Sequence, residues 1–105
     1  MITTKEQARK RTFKGVSLDV LAVGEKSMVA KMNYIKGNYV SAHAHPNEQS
    51  GYVISGKYRL KTDTLDVELN PGDSYSIPEN VTHSFEIIEA GEVIDVFTPI
   101  REDYL

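Results

Sequence analysis

The stretch HAHPNEQSGYVISG, His43–Gly56, contains two of the chain's three histidines one residue apart, followed four positions later by Gln49. Residues i and i+2 of a β-strand point to the same face, so a strand here would aim His43 and His45 together. Val40 and two alanines would occupy the opposite face, so the imidazoles do not simply lie on the solvated side of a half-buried strand. The pattern therefore indicates a site built from paired imidazoles.

The third histidine, His83, would share its strand face with Phe85 and Ile87, which places it inward. A single buried imidazole is usually a hydrogen-bonded core residue, because both ring nitrogens need partners. Three inward imidazoles, however, supply most of the ligands that a divalent metal ion requires. We therefore interpret the three histidines as metal ligands.

The composition limits the classes of protein to consider. The chain has 105 residues, 40% of them hydrophobic, and fits one domain. It contains no cysteine, so a bound metal must use nitrogen and oxygen ligands. A net charge of −3 argues against nucleic acid as a partner. Since no apolar run suits a signal peptide or a bilayer span, we expect a soluble, cytoplasmic protein with no membrane partner.

Alternating apolar and polar residues, interrupted by turn residues, predict an all-β protein, either a sandwich or a barrel. Residues 1–15 would form an N-terminal tail or an extra strand, and residues 16–105 the domain. The predicted strands cover residues 16–23, 27–35, 39–45, 50–55, 57–62, 65–70, 74–78, 82–88 and 92–99.

At these residues the chain resembles the cupins, and two motifs carry the resemblance. The first motif has glycine, His-x-His, an acidic residue and a second glycine in fixed register, and Gln49 stands at the acidic position. The second motif has Pro-x-Gly before a histidine, and Asn80 replaces its glycine at a turn where asparagine also tolerates a left-handed backbone. The matching residues are Gly37, His43, His45, Gln49 and Gly56, then Gly72, Pro78, Asn80 and His83.

The resemblance implies a single cupin jelly-roll β-barrel with a metal ion in its mouth, and a homodimer. A neutral set of ligands that includes Gln49 leaves the charge of a divalent cation uncompensated, so the site should attract anionic oxygen ligands. The metal could be Ni, Zn, Fe or Mn. Glu48 would be an alternative acidic ligand only if a bulge turned it inward, because adjacent strand residues point opposite ways.

The C-terminal stretch DVFTPIRED provides a second group of candidates. Asp95 occupies a position where a core residue is expected, and a buried carboxylate needs a partner, a polar cavity or a raised pKa. Arg101 follows Pro99, which ends the strand, so its guanidinium could lie over the barrel mouth and bind a carboxylate at two points. A structural ion pair between Asp95 and Arg101 is the alternative.

Together these residues look like a group of small cupins of the pectin-degradation, or KdgF-like, type. Members convert the ring form of 4,5-unsaturated uronates from pectin or alginate into the linear keto form. The resemblance implies that Asp95, Phe97 and Arg101 line the substrate pocket. From the chemistry we expect a divalent metal to act as Lewis acid, Arg101 to hold the substrate carboxylate, Asp95 to move a proton, and Phe97 to pack against the sugar ring and exclude water. The resemblance also makes His43, His45, Gln49 and His83 the metal ligands.

Two other functions stay open at this point. The same histidines could hold Fe(II) in a dioxygenase, since metal selectivity depends on geometry and supply. Alternatively, the domain could bind or sense a small carboxylate without turning it over. The tyrosines in the predicted strands, including Tyr39 and Tyr75, are interpreted as core or dimer-interface packing.

Overall fold

Ten β-strands provide nearly all the regular structure in the computed structural model, which describes residues 1–105. The strands are β1 (Arg9–Phe13), β2 (Val16–Val23), β3 (Met28–Tyr34), β4 (Tyr39–His43), β5 (Glu48–Val53), β6 (Lys57–Lys61), β7 (Asp66–Leu69), β8 (Ser74–Ile77), β9 (His83–Glu89) and β10 (Gly91–Thr98). Two 3-10 helices cover Lys5–Gln7 and Glu102–Tyr104. Both have three residues, and the chain has no helix of the length and apolar character needed to cross a membrane.

The strands form two antiparallel sheets that share one core. The six-stranded sheet has the order β1-β2-β3-β10-β5-β8, and the four-stranded sheet has the order β4-β9-β6-β7. β10, close to the C-terminus, lies between β3 and β5 and so holds the larger sheet together. This arrangement confirms the all-β class and the jelly-roll barrel. The segment before residue 16 contributes β1, which pairs with β2 along its whole length.

Strand alternation explains how the core forms. In β3 every second residue from Met28 to Tyr34 is buried, as the period of two requires. In β10 the buried residues are Val93, Asp95 and Phe97, as the sequence predicts. Each fully buried apolar side chain contributes about 1.5–3 kcal/mol, so an inward carboxyl among them is an exception that needs a local explanation.

The predicted strand at residues 39–45 is shorter in the structure, because β4 ends at His43 and His45 lies in the following loop. Pro46 explains the early end, since proline lacks the N–H that a ladder needs and restricts the residue before it. The pairing of β4 with β9 also shifts register between Val40 and His43. The prediction that Val40 faces away from His43 is therefore wrong: both side chains line one cavity.

The turn in the second motif has the backbone predicted for it. Asn80 has φ of 60° and Gly72 has φ of 93°. Both lie in the left-handed region, which glycine and asparagine tolerate better than other residues. Asparagine can thus replace the motif glycine without changing the turn that leads into β9.

Candidate metal centre

The three histidines converge at one end of the barrel. One ring nitrogen from each lies within 4.8 Å of the others. His43, the last residue of β4, pairs directly with His83, the first residue of β9, and their ring centroids are 4.5 Å apart. His45 reaches the same point from the loop, with its ring centroid 5.0 Å from that of His83. The convergence expected from the sequence is therefore present, although only two of the imidazoles lie in strands.

Backbone carbonyl groups orient all three imidazoles in the same way. Each Nδ1 lies 2.8–3.0 Å from the carbonyl oxygen of a residue two positions away in the chain. Because a carbonyl only accepts, each Nδ1 must carry the proton, and each Nε2 has a free lone pair. Metal-binding histidines are commonly held by this kind of hydrogen bond.

Gln49 supplies a fourth donor atom. Its Oε1 lies 3.0 Å from the Nε2 of His45. Because His45 carries its proton on Nδ1, both of these atoms offer a lone pair, and neither can donate to the other. Nitrogen and oxygen atoms with free lone pairs at this spacing would be suited to hold one divalent cation together. Glu48 is exposed and β5 pairs without a bulge, so Glu48 does not replace Gln49. The residues present therefore fit a divalent ion.

Burial lowers the pKa of all three histidines, that of His43 to about 4. Desolvation is the largest cause, because it penalises the charged imidazolium. The imidazoles are therefore neutral at pH 7, which is the protonation state that binds metal.

Asp95 lies beside this centre with only 1% of its surface exposed. Burial raises its pKa to about 6, while the Tyr75 hydroxyl and the Gln49 side chain oppose the rise. The Tyr75 hydroxyl donates to Oδ1 at 2.6 Å. The carboxyl is not paired with Arg101, so the alternative of a structural ion pair between Asp95 and Arg101 is wrong. The partner of the carboxyl is a phenol.

Arg101 is held by the C-terminal segment instead. Its Nε and Nη2 donate to the two carboxylate oxygens of Asp103 at 3.2 and 2.7 Å, and its Nη1 donates to the Tyr104 hydroxyl at 3.0 Å. A guanidinium has five N–H groups, so one on Nη1 and one on Nη2 have no partner within the chain. Arg101 is 5% exposed and lines the cavity.

Three aromatic rings surround the guanidinium. Its Cζ lies 4.7 Å from the ring centroid of Phe13, 5.2 Å from that of Phe97 and 4.2 Å from that of Tyr104. Cation–π attraction at such distances restrains the side chain. Phe97 is fully buried and packs behind Arg101 and His45, whereas Phe13 and Tyr104 line the cavity.

Asn47 links the metal centre to the segment that carries Arg101. Its side-chain amide donates to the carbonyl oxygens of Pro99 at 2.6 Å and Ile100 at 3.3 Å. The backbone carbonyl oxygen of Asn47 accepts a hydrogen bond from the Nδ1 of His45. Nothing in the sequence singled out this residue, apart from its polar character within the first motif.

One cavity brings together five of the seven predicted site residues: His43, Gln49, His83, Asp95 and Arg101. His45 reaches the centre beside Gln49 without lining this cavity, and Phe97 does not line it. Phe13, Tyr75 and Tyr104 were missed as functional residues, because each reaches the site from a distant strand or terminus. The free space has room for about one water molecule.

The fold and the two histidine motifs define the class of protein. The cupin domain model matches residues 30–97, and the chain belongs to the cupin family. It is 29% identical over 97 residues to the acireductone dioxygenase of Bacillus subtilis, a match that covers 88% of this chain and 52% of that protein. The chain thus spans about half the length of the curated relatives it matches.

Two solved structures are similar over nearly the whole chain. An RmlC-like cupin from Shewanella frigidimarina is 30% identical with a TM-score of 0.90, covering 99% of this chain and 95% of the other. KdgF from Halomonas sp. is 24% identical with a TM-score of 0.89, and the match covers 100% of this chain and 100% of the other. The resemblance to small KdgF-like cupins is confirmed at the level of the fold. The chain is a cupin whose relatives include enzymes and whose three histidines can hold a metal ion.

Proposed function

We propose that this protein is a metal-dependent cupin enzyme that opens the ring of 4,5-unsaturated uronates to give the linear keto acid. The observation that carries the proposal is that Asp95 and Arg101 line the same cavity as His43, Gln49 and His83. A carboxylate binder, a proton carrier and a metal centre are what this reaction needs in one place. The structural likeness to KdgF over the whole chain supports the same substrate class.

Arg101 is suited to bind the uronate carboxylate. Its two unpartnered N–H groups lie on different nitrogens, so they can meet the two oxygens of one carboxylate. Asp103 and the surrounding aromatic rings already hold the guanidinium, so little further ordering is needed on binding. The resulting contact would fix the substrate's acid group at the rim of the cavity.

Asp95 is suited to move the proton. Ring opening removes a proton from the anomeric hydroxyl and breaks the bond between C1 and the ring oxygen, and ketonisation returns a proton to C4. With a pKa of about 6, Asp95 can accept the first proton and deliver one in the second step at neutral pH. A divalent ion held by the histidines and Gln49 would supply a Lewis acid that stabilises negative charge on substrate oxygens.

Substrate binding requires the cavity to widen, since a space for one water cannot hold a sugar acid. Phe13 and Tyr104 cover the centre, with their ring centroids 5.6 Å apart. Both belong to terminal segments, β1 and the last 3-10 helix. Movement of these two segments would open the cavity while leaving the strands that carry the histidines in place.

The proposal is tested by proton NMR of freshly generated unsaturated galacturonate with metal-loaded protein, with chelated protein and with none. Uncatalysed opening makes the last sample essential. Faster loss of the ring form with metal-loaded protein alone supports the proposal. Equal rates in the three samples contradict it, and saturable uronate binding under those conditions would indicate a binding or sensor domain instead.

A second candidate is a metal-dependent dioxygenase, which the sequence similarity to acireductone dioxygenases favours. The same three histidines would hold Fe(II). An oxygen electrode separates the two functions, because ring opening consumes no oxygen. Substrate-dependent oxygen uptake by the Fe(II)-loaded protein would favour the dioxygenase.

The expected homodimer remains part of the proposal. Val29 on β3 lies opposite Val96 on β10, and both side chains point to the outer face of the six-stranded sheet beside Ile94. This apolar patch supports pairing with a second copy of the chain. Light scattering of Val96→Lys against the wild type would test it, with a loss of dimer expected. The cytoplasmic location expected from the sequence belongs to the same proposal.

A further inference from the structure

Three residues on neighbouring strands of the six-stranded sheet lie directly opposite one another. Gly51 on β5 pairs with Tyr75 on β8 on one side and with Asp95 on β10 on the other. The Tyr75 side chain crosses the middle strand to donate its hydrogen bond to Asp95 at 2.6 Å. A hydrogen bond thus joins two strands that are not adjacent in the sheet.

Gly51 provides the space for this contact. A Cβ atom built on Gly51 would lie 2.6 Å from Oδ1 of Asp95 and even closer to the Tyr75 ring. Real Cβ atoms do not approach heavy atoms so closely, so any other residue would force the phenol and the carboxyl apart. Gly51 is not in a left-handed conformation. Glycine is therefore required at position 51 because it has no side chain, and not because the backbone needs a conformation that only glycine adopts.

We propose that Tyr75 is a positioning residue for Asp95, and that it acts through the gap left by Gly51. This inference rests on the proposed function, in which Asp95 moves the proton. Tyr75 donates its hydrogen bond to Oδ1 of the carboxyl. This donor, from a strand that is not adjacent to β10, therefore fixes the orientation of a carboxyl that lines the same cavity as His43 and His83.

The chemistry of the site gives this contact a function beyond packing. A carboxyl on a buried strand without a hydrogen-bond donor could rotate about its χ2 torsion, which is broad for aspartate. The Tyr75 hydroxyl removes that freedom and holds Oδ1 at a set place beside the cavity. Misplacement of a catalytic group by about 1 Å can cost on the order of 100-fold in rate.

The test compares Tyr75→Phe with a matched control, Tyr39→Phe, which removes the hydroxyl of a tyrosine on β4 that is 55% exposed. Tyr75→Phe should lower kcat on unsaturated galacturonate roughly 10- to 100-fold, the equivalent of one hydrogen bond to a charged group. KM and metal content should stay at the wild-type level. Tyr39→Phe should leave all three unchanged. Wild-type kcat in Tyr75→Phe would overturn the inference and leave the proposed function intact.

A second readout does not depend on turnover. In metal-free protein carrying carbon-13 at the aspartate carboxyls, the Asp95 resonance is the one missing from Asp95→Asn. Tyr75→Phe should shift that resonance and Tyr39→Phe should not. An unshifted resonance would overturn the inference even if the wild type proves inactive on uronates, so the two failures are distinguishable.

Gly51→Ala tests the same contact without removing either partner. It should reproduce the loss of kcat and the resonance shift, because the added methyl group separates the phenol from the carboxyl. Gly24→Ala is the control, since a Cβ there meets only ordinary contacts at 3.4 Å. A Gly51→Ala protein with wild-type kcat and an unshifted Asp95 resonance would contradict the inference.

Discussion

Asp95 and Arg101 line one cavity without forming an ion pair, because each has another partner. The Asp95 carboxyl accepts from the Tyr75 phenol, and the Arg101 guanidinium is paired with Asp103. A direct ion pair would neutralise both groups and leave neither for a substrate. Their separation keeps a carboxyl that can exchange a proton next to a cation that can bind an anion.

Arg101→Lys should raise KM for the uronate on the order of tenfold, about 1.4 kcal/mol of binding free energy. Lysine keeps the charge but loses the planar pair of N–H groups that meets both carboxylate oxygens. Steady-state kinetics checks this, with Arg59→Lys on the surface as the control. An unchanged KM would show that Arg101 does not bind the substrate.

The pKa of Asp95 predicts a pH-dependent difference in stability between the wild type and Asp95→Asn. The pKa rises from 3.8 to about 6 on folding, so the folded state binds the proton more tightly and stability falls as pH rises through this window. Relative to Asp95→Asn, the free energy of unfolding of the metal-free wild type should fall by roughly 2 kcal/mol between pH 4 and pH 6, out of about 3 kcal/mol over the whole transition. Urea denaturation at several pH values measures it. Parallel curves for the two proteins would contradict the raised pKa.

Asn47→Ala should destabilise the C-terminal segment. The substitution leaves two carbonyl oxygens, of Pro99 and Ile100, without their donor, which costs about 1–3 kcal/mol. KM should rise as well, because the segment positions Arg101. Thermal unfolding and kinetics would show both effects, and Asn70→Ala, at an exposed turn, should show neither. Wild-type stability of Asn47→Ala would exclude the link.

Gln49→Glu tests why an amide stands at the acidic position of the motif. Glutamate at this position replaces a neutral side chain that lowers the pKa of Asp95 and adds a like charge, so the pKa of Asp95 should rise further. Metal should bind at least as tightly, since a negative ligand compensates the cation, while turnover at pH 7 should fall. Elemental analysis and kinetics on one preparation separate the two effects. Wild-type turnover would mean that the amide has no specific role.

Much of the fold and of the metal centre can be predicted from local sequence. The site residues that depend on contacts between distant strands cannot be predicted in this way. The spacing of His43 and His45 and the short alternating strands are local features, and they indicate the barrel and the ligands. Tyr75 meets Asp95 through strand register across 20 positions, and local sequence patterns do not reveal which strands pair. The early end of β4 is different, because it follows from a local feature: Pro46 ends the strand and is visible in the sequence.

The aromatic residues around Arg101 show the same limit. Phe13 and Tyr104 lie near opposite ends of the chain, and only β1 pairing and the last 3-10 helix bring them to one cavity. The resemblance implies that Phe97 lines the substrate pocket, and in the structure its ring is fully buried against Arg101 and His45. Strand alternation gives the direction of a side chain but not what stands between it and the cavity.

The most direct test measures ring opening of unsaturated galacturonate and metal content together in the wild type, Asp95→Asn and His83→Ala. The proposal predicts that the wild type accelerates loss of the ring form with one metal per chain, that Asp95→Asn keeps the metal and loses turnover, and that His83→Ala loses both. Full activity in Asp95→Asn, or in His83→Ala without metal, would contradict the proposal.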